Sequence, residues 1–286
     1  MTKAISFRGF SRQLLSVVTF YSGYCRLSEY LKLNQGVRIL CFHSVSDNPP
    51  SQYAVSTEDF SNQMRFLADN YEIVSIDQLV TFIKEKKPLS PAMIAVSFDD
   101  GYRDFFTHAF PILQRYAISA TMFLPTGSMD GISKYKHVLP QSKSLSWDQV
   151  RQLRQDGIDF GSHAVSHTSM TRLTQQEIKY ELEYSKARIE SELTVPIKGF
   201  AYPYGAFKDT DPKIGKRISA SGYSWAVTSV SGANDNNTNP FALRRTVIMR
   251  DDGFEGFKRA LCGALDGWII MQKGGYYLNK VTSMTK

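Results

Sequence analysis

The sequence predicts an α/β fold, a distorted (β/α)7-type barrel with mostly parallel strands. Short apolar runs alternate with amphipathic helical patterns along most of the 286 residues, and such alternation favours right-handed crossovers between parallel strands. A content of 42% apolar and 21% charged residues suits one large domain better than two separate cores. No run reaches the roughly 18 apolar residues that a membrane-spanning helix needs.

Strands are predicted where short runs rich in β-branched and aromatic residues end in turn-forming residues. Helices are predicted where apolar residues recur every three to four positions. Ser56 and Thr174 are capping residues at two helix starts. Gly157 and Pro196 end helices, and Pro111 is expected to kink one. The predicted strands are 37–42, 71–75, 93–98, 120–124, 158–161, 197–201, 223–228 and 241–248. The predicted helices are 56–70, 76–86, 103–116, 147–155, 174–195, 212–221 and 253–265.

Three segments make up the predicted domain organisation. Residues 1–34 form an amphipathic N-terminal helical segment, residues 35–265 the α/β domain, and residues 266–286 a C-terminal tail without assigned chemistry. The first segment superficially resembles a signal peptide but lacks a small-residue cleavage site. We expect it to pack on the domain or to make a peripheral contact with a membrane surface. A cytoplasmic or membrane-peripheral location is therefore favoured over a periplasmic one.

Composition limits the classes of partner. The formal net charge of +7 permits an anionic partner. Because the basic residues are scattered and not interleaved with aromatic ones, a nucleic-acid partner is not expected. Three cysteines without CxxC spacing exclude a disulfide framework and a cysteine-based zinc site.

Two adjacent carboxylates, Asp99 and Asp100, follow the third predicted strand and precede Gly101. Adjacent carboxylates repel each other when both are ionised in a dry site, so a cation or a shared proton is needed to relieve the pair. In parallel α/β folds the chemistry gathers where strands end. A metal ion is therefore the first ligand to consider at this junction.

Histidines follow two other predicted strands. His43 ends the first strand, and His163 and His167 lie four residues apart after a short strand. Chance or helix capping is enough to explain a lone HxxxH pair, but its combination with two carboxylates favours a metal centre. Two imidazoles, one carboxylate and open positions are typical of a catalytic site for zinc or a related ion. We expect these side chains to emerge on one rim of the barrel.

Three motifs carry a resemblance to a known family. They are SFDDGY at 97–102, HAVSH at 163–167 and FAYPYG at 200–205. In this order they resemble the motifs of the polysaccharide deacetylases, carbohydrate esterase family 4, also called the nodulation-protein-B homology domain. The resemblance covers roughly residues 36–262. The segment FHSVS at 42–46 is similar to the permuted poly-N-acetylglucosamine deacetylase branch.

The resemblance implies roles for the residues at the strand ends. Asp100, His163 and His167 would bind one divalent metal ion, Zn2+ first, with Co2+, Ni2+ or Fe2+ as further candidates. Asp99 would be the general base for a metal-activated water. Many members place the general acid near the C-terminus, but this chain has no histidine beyond His167. His43 is therefore expected to be the acid.

A positive charge is expected to orient Asp99. Many members carry Arg where this chain has Ala201, so Arg245, or Arg244 beside it, is predicted to supply that charge. The backbone amide of Tyr204 would help to hold the oxyanion. Ordinary surface arginines and simple packing of the aromatic residues are the alternative interpretations. The expected substrate and oxyanion residues are Tyr102, Tyr202, Pro203 and Tyr204.

The leading functional hypothesis is a metal-dependent hydrolase that removes N-acetyl groups from an N-acetylated sugar of a bacterial exopolysaccharide or surface glycan. One alternative is deacetylation or deformylation of a lipid-linked sugar, which a basic amphipathic N-terminus would suit. Another is a non-catalytic module that binds a glycan. The complete set of two carboxylates and two histidines argues against this last alternative.

Overall fold

The computed structural model describes residues 7–30, 36–132, 143–270 and 273. Its strands are β1 (Arg38–Phe42), β2 (Ser44–Val45), β3 (Ala54–Val55), β4 (Glu72–Ile73), β5 (Met93–Phe98), β6 (Thr121–Leu124), β7 (Asp159–Ser162), β8 (Gly199–Ala201), β9 (Trp225–Val227) and β10 (Thr246–Val247). Its α-helices are α1 (Phe7–Tyr21), α2 (Tyr24–Tyr30), α3 (Thr57–Asn70), α4 (Ile76–Lys84), α5 (Phe110–Arg115), α6 (Thr126–Met129), α7 (Trp147–Gln155), α8 (Gln175–Leu193), α9 (Pro212–Ala220) and α10 (Gly253–Leu261).

One parallel sheet forms the centre of the fold. Its strands follow the order β10-β1-β5-β6-β7-β8-β9, and β4 pairs with the start of β5. Among the described residues, every strand pair of this sheet is parallel. Helices between successive strands supply the crossovers that parallel strands require. The prediction of a distorted (β/α)7-type barrel with mostly parallel strands is confirmed.

The sheet register fixes which strand ends meet. β1 and β5 pair in register through their last residues, Phe42 and Phe98. His43 and Asp99 therefore follow at the same level on neighbouring strands. The Asp99 N–H donates to the Phe42 carbonyl at 3.0 Å, and the His163 N–H donates to the last residue of β6 at 2.9 Å. The ends of β1, β5 and β7 are thus brought to one rim of the sheet.

Two aromatic rings fill part of the space between the strands. Phe123 and Trp225 meet edge to face with their ring centroids 5.9 Å apart. A Cβ atom at Gly199 would lie 2.1 Å from the Trp225 ring, and one at Gly161 would lie 2.6 Å from the Phe123 ring. β7 and β8 therefore need glycine at these positions so that the large rings can pack against their backbones.

Two segments differ from the sequence prediction. The predicted helix 103–116 is a π-helical turn, Phe105–Ala109, followed by α5. Pro111 follows this π-helical turn inside one uninterrupted helical run, 104–115. Proline lacks the N–H that a regular helix would use there, and π-helical turns and prolines are the usual sites of helix kinks. The predicted strand 241–248 is reduced to the two residues of β10, because Pro240–Ala242 form a 3-10 turn.

The N-terminal helix α1 packs on the domain through one side. Arg12 is buried and forms an ion pair with Asp252, and Arg259 of α10 donates to the Ser16 hydroxyl at 3.0 Å. Large apolar side chains exposed elsewhere on α1 include Leu14, Val18 and Tyr21. None of the described helices is long and apolar enough to span a membrane. A peripheral membrane contact of residues 1–34 stays a prediction, and most of the predicted C-terminal tail, residues 274–286, lies outside the described residues.

Candidate active site

Three donor atoms converge at the rim, the Oδ1 of Asp100 and the Nε2 atoms of His163 and His167. The two Nε2 atoms lie 3.1 Å apart, and the Asp100 oxygen lies 3.2 Å from His167 and 3.7 Å from His163. A divalent ion bound at about 2.1 Å with tetrahedral angles separates its ligand atoms by about 3.4 Å. The three residues, called the metal trio below, therefore have the spacing that one divalent ion requires.

The metal trio is buried and includes one carboxylate oxygen, the Asp100 Oδ1, that needs a partner. All three side chains are buried. Among the described residues, the Asp100 Oδ1 receives no hydrogen bond of standard geometry. A buried carboxylate oxygen without such a partner is costly. Its lone pairs point toward the same space as the two imidazoles, so the donor set fits a bound cation.

Two members of the metal trio, together with Gly101, have left-handed backbone conformations. Asp100 has φ 72°, Gly101 φ 59° and His167 φ 53°. Aspartate and glycine visit this region at low cost, but histidine does so less readily. Such conformations persist only where the surrounding structure holds them, and they gather at functional sites. The strand β5 therefore ends in two successive left-handed residues, Asp100 and Gly101.

His163 is held in the tautomer that a metal ligand needs. Its Nδ1 lies 2.8 Å from the carbonyl oxygen of Ala201, so Nδ1 carries the hydrogen and Nε2 keeps its lone pair. Burial lowers the pKa of His163 to about 4, although Asp99 and Asp100 oppose the change. The imidazole is therefore neutral near pH 7. Burial alone would raise the pKa of Asp100, but His167 above all keeps it well below its ordinary value.

Arg245 makes a two-pronged ion pair with Asp99. Its Nη1 donates to Asp99 Oδ1 at 2.7 Å and its Nη2 to Oδ2 at 2.6 Å. Both side chains are buried. Burial alone would raise the pKa of Asp99, but the charge of Arg245, the nearby His163 and the hydrogen bonds from Arg245 together lower this pKa to about 2. Of the two arginines that the sequence left open, Arg245 contacts Asp99 and Arg244 is exposed.

The Arg245 guanidinium is fixed by three further contacts. Its Nε donates to the Thr228 carbonyl at 2.8 Å and its Nη1 to the Ser97 hydroxyl at 3.2 Å. The guanidinium carbon lies 5.4 Å from the centroid of the Phe123 ring. A planar, multiply bonded cation fixes the carboxylate plane of Asp99 more firmly than a point charge could.

Cys41 and His43 complete the surroundings of Asp99 from β1. The Cys41 thiol donates to Asp99 Oδ2 at 3.5 Å, and burial raises the pKa of this thiol well above its ordinary value. Ligand atoms of Cys41, His43 and Asp99 all lie within 4.8 Å of one another. The sequence prediction assigned Cys41 no role at this site. Its position two residues before His43, on the same side of a strand, was the available signal.

Asp104 ties the loop that carries His43 to the loop that carries the carboxylates. It accepts hydrogen bonds from the Ser44 hydroxyl and from the backbone N–H groups of Val45 and Phe105. Burial raises the pKa of Asp104 to about 6, although these hydrogen bonds oppose the rise. The sequence prediction missed this residue because a hydrogen bond to a backbone N–H leaves no pattern in the partner's sequence.

The expected substrate residues separate into buried and exposed ones. Tyr102 and Tyr202 are only 1% and 2% exposed, and the Tyr202 hydroxyl donates to the Phe241 carbonyl at 3.1 Å. Both side chains are thus as buried as the metal trio, and their contact with substrate stays a prediction. Pro203 is also buried. The Tyr204 side chain is 56% exposed, and its ring centroid lies 5.0 Å from that of His167.

Comparison with known proteins identifies the family. Residues 86–223 match the family model described as polysaccharide deacetylase. These residues, just under half of the chain, belong to the polysaccharide deacetylase family. This agrees with the motif resemblance and places the metal trio and Asp99 inside the matched region.

Two relatives and one solved structure show how far the similarity extends. The polysaccharide deacetylase YxkH of Bacillus subtilis (strain 168) is 27% identical over 211 residues, which are 73% of this chain and 70% of that protein. A poly-beta-1,6-N-acetyl-D-glucosamine N-deacetylase of Staphylococcus aureus (strain MRSA252) is 24% identical over 71% of this chain and 70% of its own length. The Streptococcus pyogenes deacetylase PplD shares the fold, with a TM-score of 0.69 and 22% identity over 79% of this chain and 98% of PplD.

Because Arg245 is paired with Asp99 and Arg244 is exposed, replacing each of these arginines should affect the free energy of unfolding differently. Arg245→Lys keeps the charge but cannot reproduce two parallel hydrogen bonds in a buried site. We expect it to lower the free energy of unfolding by about 2–3 kcal/mol. The matched control Arg244→Lys, at an exposed position, is expected to change it by less than about 0.5 kcal/mol. Urea denaturation measures both, and equal effects would contradict the buried pair.

The raised pKa of Asp104 predicts a pH dependence of stability. An unfolded chain releases this proton near the ordinary value of 3.8, but the folded protein holds it up to about pH 6. Stability therefore falls as the pH rises from about 4 to about 6, by up to about 2–3 kcal/mol for this group. Asp104→Asn removes the titration. As the pH rises from about 4 to about 6, the free energy of unfolding of the variant should therefore increase relative to that of the unchanged protein, as measured by urea denaturation. A difference that stays constant over this range would refute the assignment.

Proposed function

We propose that this protein is a metal-dependent N-deacetylase that hydrolyses acetamido groups of an N-acetylated bacterial polysaccharide, with poly-β-1,6-N-acetylglucosamine as the first substrate to test. The observation that carries the proposal is the metal trio beside a second buried carboxylate, Asp99, with its own cationic partner. Membership of the polysaccharide deacetylase family supports the reaction class. The name of the Staphylococcus aureus relative supports the choice of polymer.

Asp100, His163 and His167 would hold the divalent ion. When bound, such an ion acidifies water and stabilises negative charge that develops on an acyl oxygen. Two neutral imidazoles and one carboxylate leave further coordination positions open, which distinguishes a catalytic site from a structural one. Among compatible metals we propose Zn2+, because nitrogen and carboxylate ligands at these spacings suit it.

Asp99 acts as the general base. Its Oδ2 lies 3.9 Å from His163 Nε2, so a water molecule beside the trio is within reach of this oxygen. Arg245 keeps Asp99 ionised throughout the neutral range and fixes its orientation. As the water oxygen bonds to the acetyl carbon, Asp99 takes the water proton.

His43 acts as the general acid. The bond between the acetyl carbon and the sugar nitrogen breaks only when that nitrogen receives a proton, and acetate and a free amine are the products. His43 reaches the site from β1, and a ring nitrogen lies within 4.8 Å of an Asp99 oxygen. A half-buried imidazole can exchange its proton with solvent between turnovers. Tyr204, exposed beside His167, is placed to contact the sugar, and its backbone amide is proposed to help hold the oxyanion.

Metal removal tests the reaction class. Protein dialysed against a chelator should release no acetate from β-1,6-linked N-acetylglucosamine oligosaccharides, and Zn2+ or Co2+ should restore the rate. Acetate release and metal content are measured on the same samples. Chitin-type oligosaccharides serve as the comparison substrate. Undiminished acetate release in metal-free protein would refute the metal role, and glycan binding without acetate release by metal-loaded protein would favour a binding module.

Substitutions separate metal binding from proton transfer. Asp99→Asn and His43→Gln should keep the metal but each lower kcat by about 100-fold or more, because each removes a proton-transfer group. His163→Ala should lose both metal and activity. His108→Ala is the matched control, since His108 lies outside the trio and next to Asp47, 3.9 Å away. A normal kcat for His43→Gln would exclude His43 as the acid.

A further inference from the structure

The loop between the two histidine ligands is held by a buried carboxylate from α8. One oxygen of Glu181, Oε2, accepts the backbone N–H of Val165 at 2.7 Å and that of Ser166 at 2.9 Å. These are two of the three residues between His163 and His167. Glu181 itself is only 5% exposed. The two histidines are therefore joined by a loop whose successive N–H groups converge on one anion.

The backbone of this loop is shaped to receive an anion. Ala164 has φ 64°, and a left-handed residue within a run of amides makes those amides point into one concavity. Its own N–H donates to the Ser162 hydroxyl at 3.1 Å. Because the loop supplies two charge-assisted hydrogen bonds, the buried carboxylate of Glu181 is compensated without a cation. Among the described residues, no ion pair of Glu181 is present.

The inner face of α8 is apolar except at two buried positions, Glu181 and Ser185. Ser185, one turn after Glu181, hydrogen-bonds Ser162 with their hydroxyl oxygens 2.7 Å apart. Ile178 and Leu182 on the same face belong to the apolar core. Glu181 thus occupies a position that an apolar side chain could fill if packing alone mattered. The free-energy cost of burying a carboxylate there must be offset by its hydrogen bonds to the loop.

We propose that Glu181 is a positioning residue of the metal centre, an inference that rests on the proposed metal-binding role of His163 and His167. By fixing the amides of Val165 and Ser166, it sets the separation and orientation of the two imidazoles. Among the described residues, its side chain makes hydrogen bonds to the loop backbone and no ion pair with the trio. Its negative charge also favours a divalent cation nearby.

Zinc affinity of the metal-free protein tests this role directly. A competition titration against a chromophoric chelator compares Glu181→Ala, Glu181→Gln and the unchanged protein. We expect Glu181→Ala to weaken Zn2+ binding by about 30-fold, within the range typical for residues that orient metal ligands. Glu181→Gln keeps an oxygen that can accept both N–H groups, so a loss of less than about 5-fold is expected. Glu183→Ala, an exposed glutamate on the same helix, is the matched control and should bind like the unchanged protein.

A kinetic measurement separates positioning from general stability. Saturating Zn2+ should return most of the kcat of Glu181→Ala and leave KM for the glycan unchanged, because the catalytic side chains are intact. If Glu181→Ala does not fold, Glu181→Asp replaces it. This variant retracts the carboxylate by one methylene, and we expect it to weaken Zn2+ binding by about 10-fold.

The outcomes separate the two proposals. If the unchanged protein binds Zn2+ and the Glu181 variants bind it equally well, the positioning role is overturned and the proposed function stands. Lost activity that saturating Zn2+ does not restore would also overturn the positioning role. If the unchanged protein binds none of Zn2+, Co2+, Ni2+ and Fe2+, the proposed metal-dependent function falls, and the positioning role falls with it.

Discussion

The structure of the site depends on how the electrostatic repulsion between two adjacent buried carboxylates is compensated. Asp99 and Asp100 are both 3% exposed, and two neighbouring negative charges in such a site are tolerable only if each has its own compensation. Asp99 meets the guanidinium of Arg245, and Asp100 meets two imidazoles. Each carboxylate thus has its own partners, which are those expected of the proposed base and of the proposed metal ligand.

The sheet brings the compensating groups from distant parts of the sequence. β1 and β10 are neighbours, and β1 also pairs with β5. Arg245 and His43 therefore reach Asp99 from opposite ends of the chain. β7 lies two strands from β5 on the other flank and delivers His163. A general acid from the N-terminal strand is thus compatible with the site, because order around the sheet, and not order along the chain, decides which residues meet.

Features that rest on a repeating residue pattern could be predicted from the sequence, but individual side-chain contacts could not. Apolar runs and capping residues such as Thr174 predicted the fold and most elements, and the ends of those runs predicted which side chains gather. Strand alternation could not choose between Arg244 and Arg245, because the segment before β10 is irregular. Tyr102 lies in the SFDDGY motif, but a motif does not show how deeply its ring is buried. Glu181 went unnoticed since its partners are backbone amides, which every residue offers.

The ion pair with Arg245 stabilises the buried charge of Asp99, but it also limits the strength of this carboxylate as a base. A carboxylate whose pKa is about 2 is a poor proton acceptor, and general-base catalysis is most effective when that pKa lies near the working pH. In its proposed role, Asp99 would therefore accept a proton only from water that a bound ion has made more acidic. The proposed base would then depend on the metal trio beside it, and the trio on the loop whose amides bond Glu181. Precise placement of His163 and His167 would thus compensate for the low pKa of Asp99.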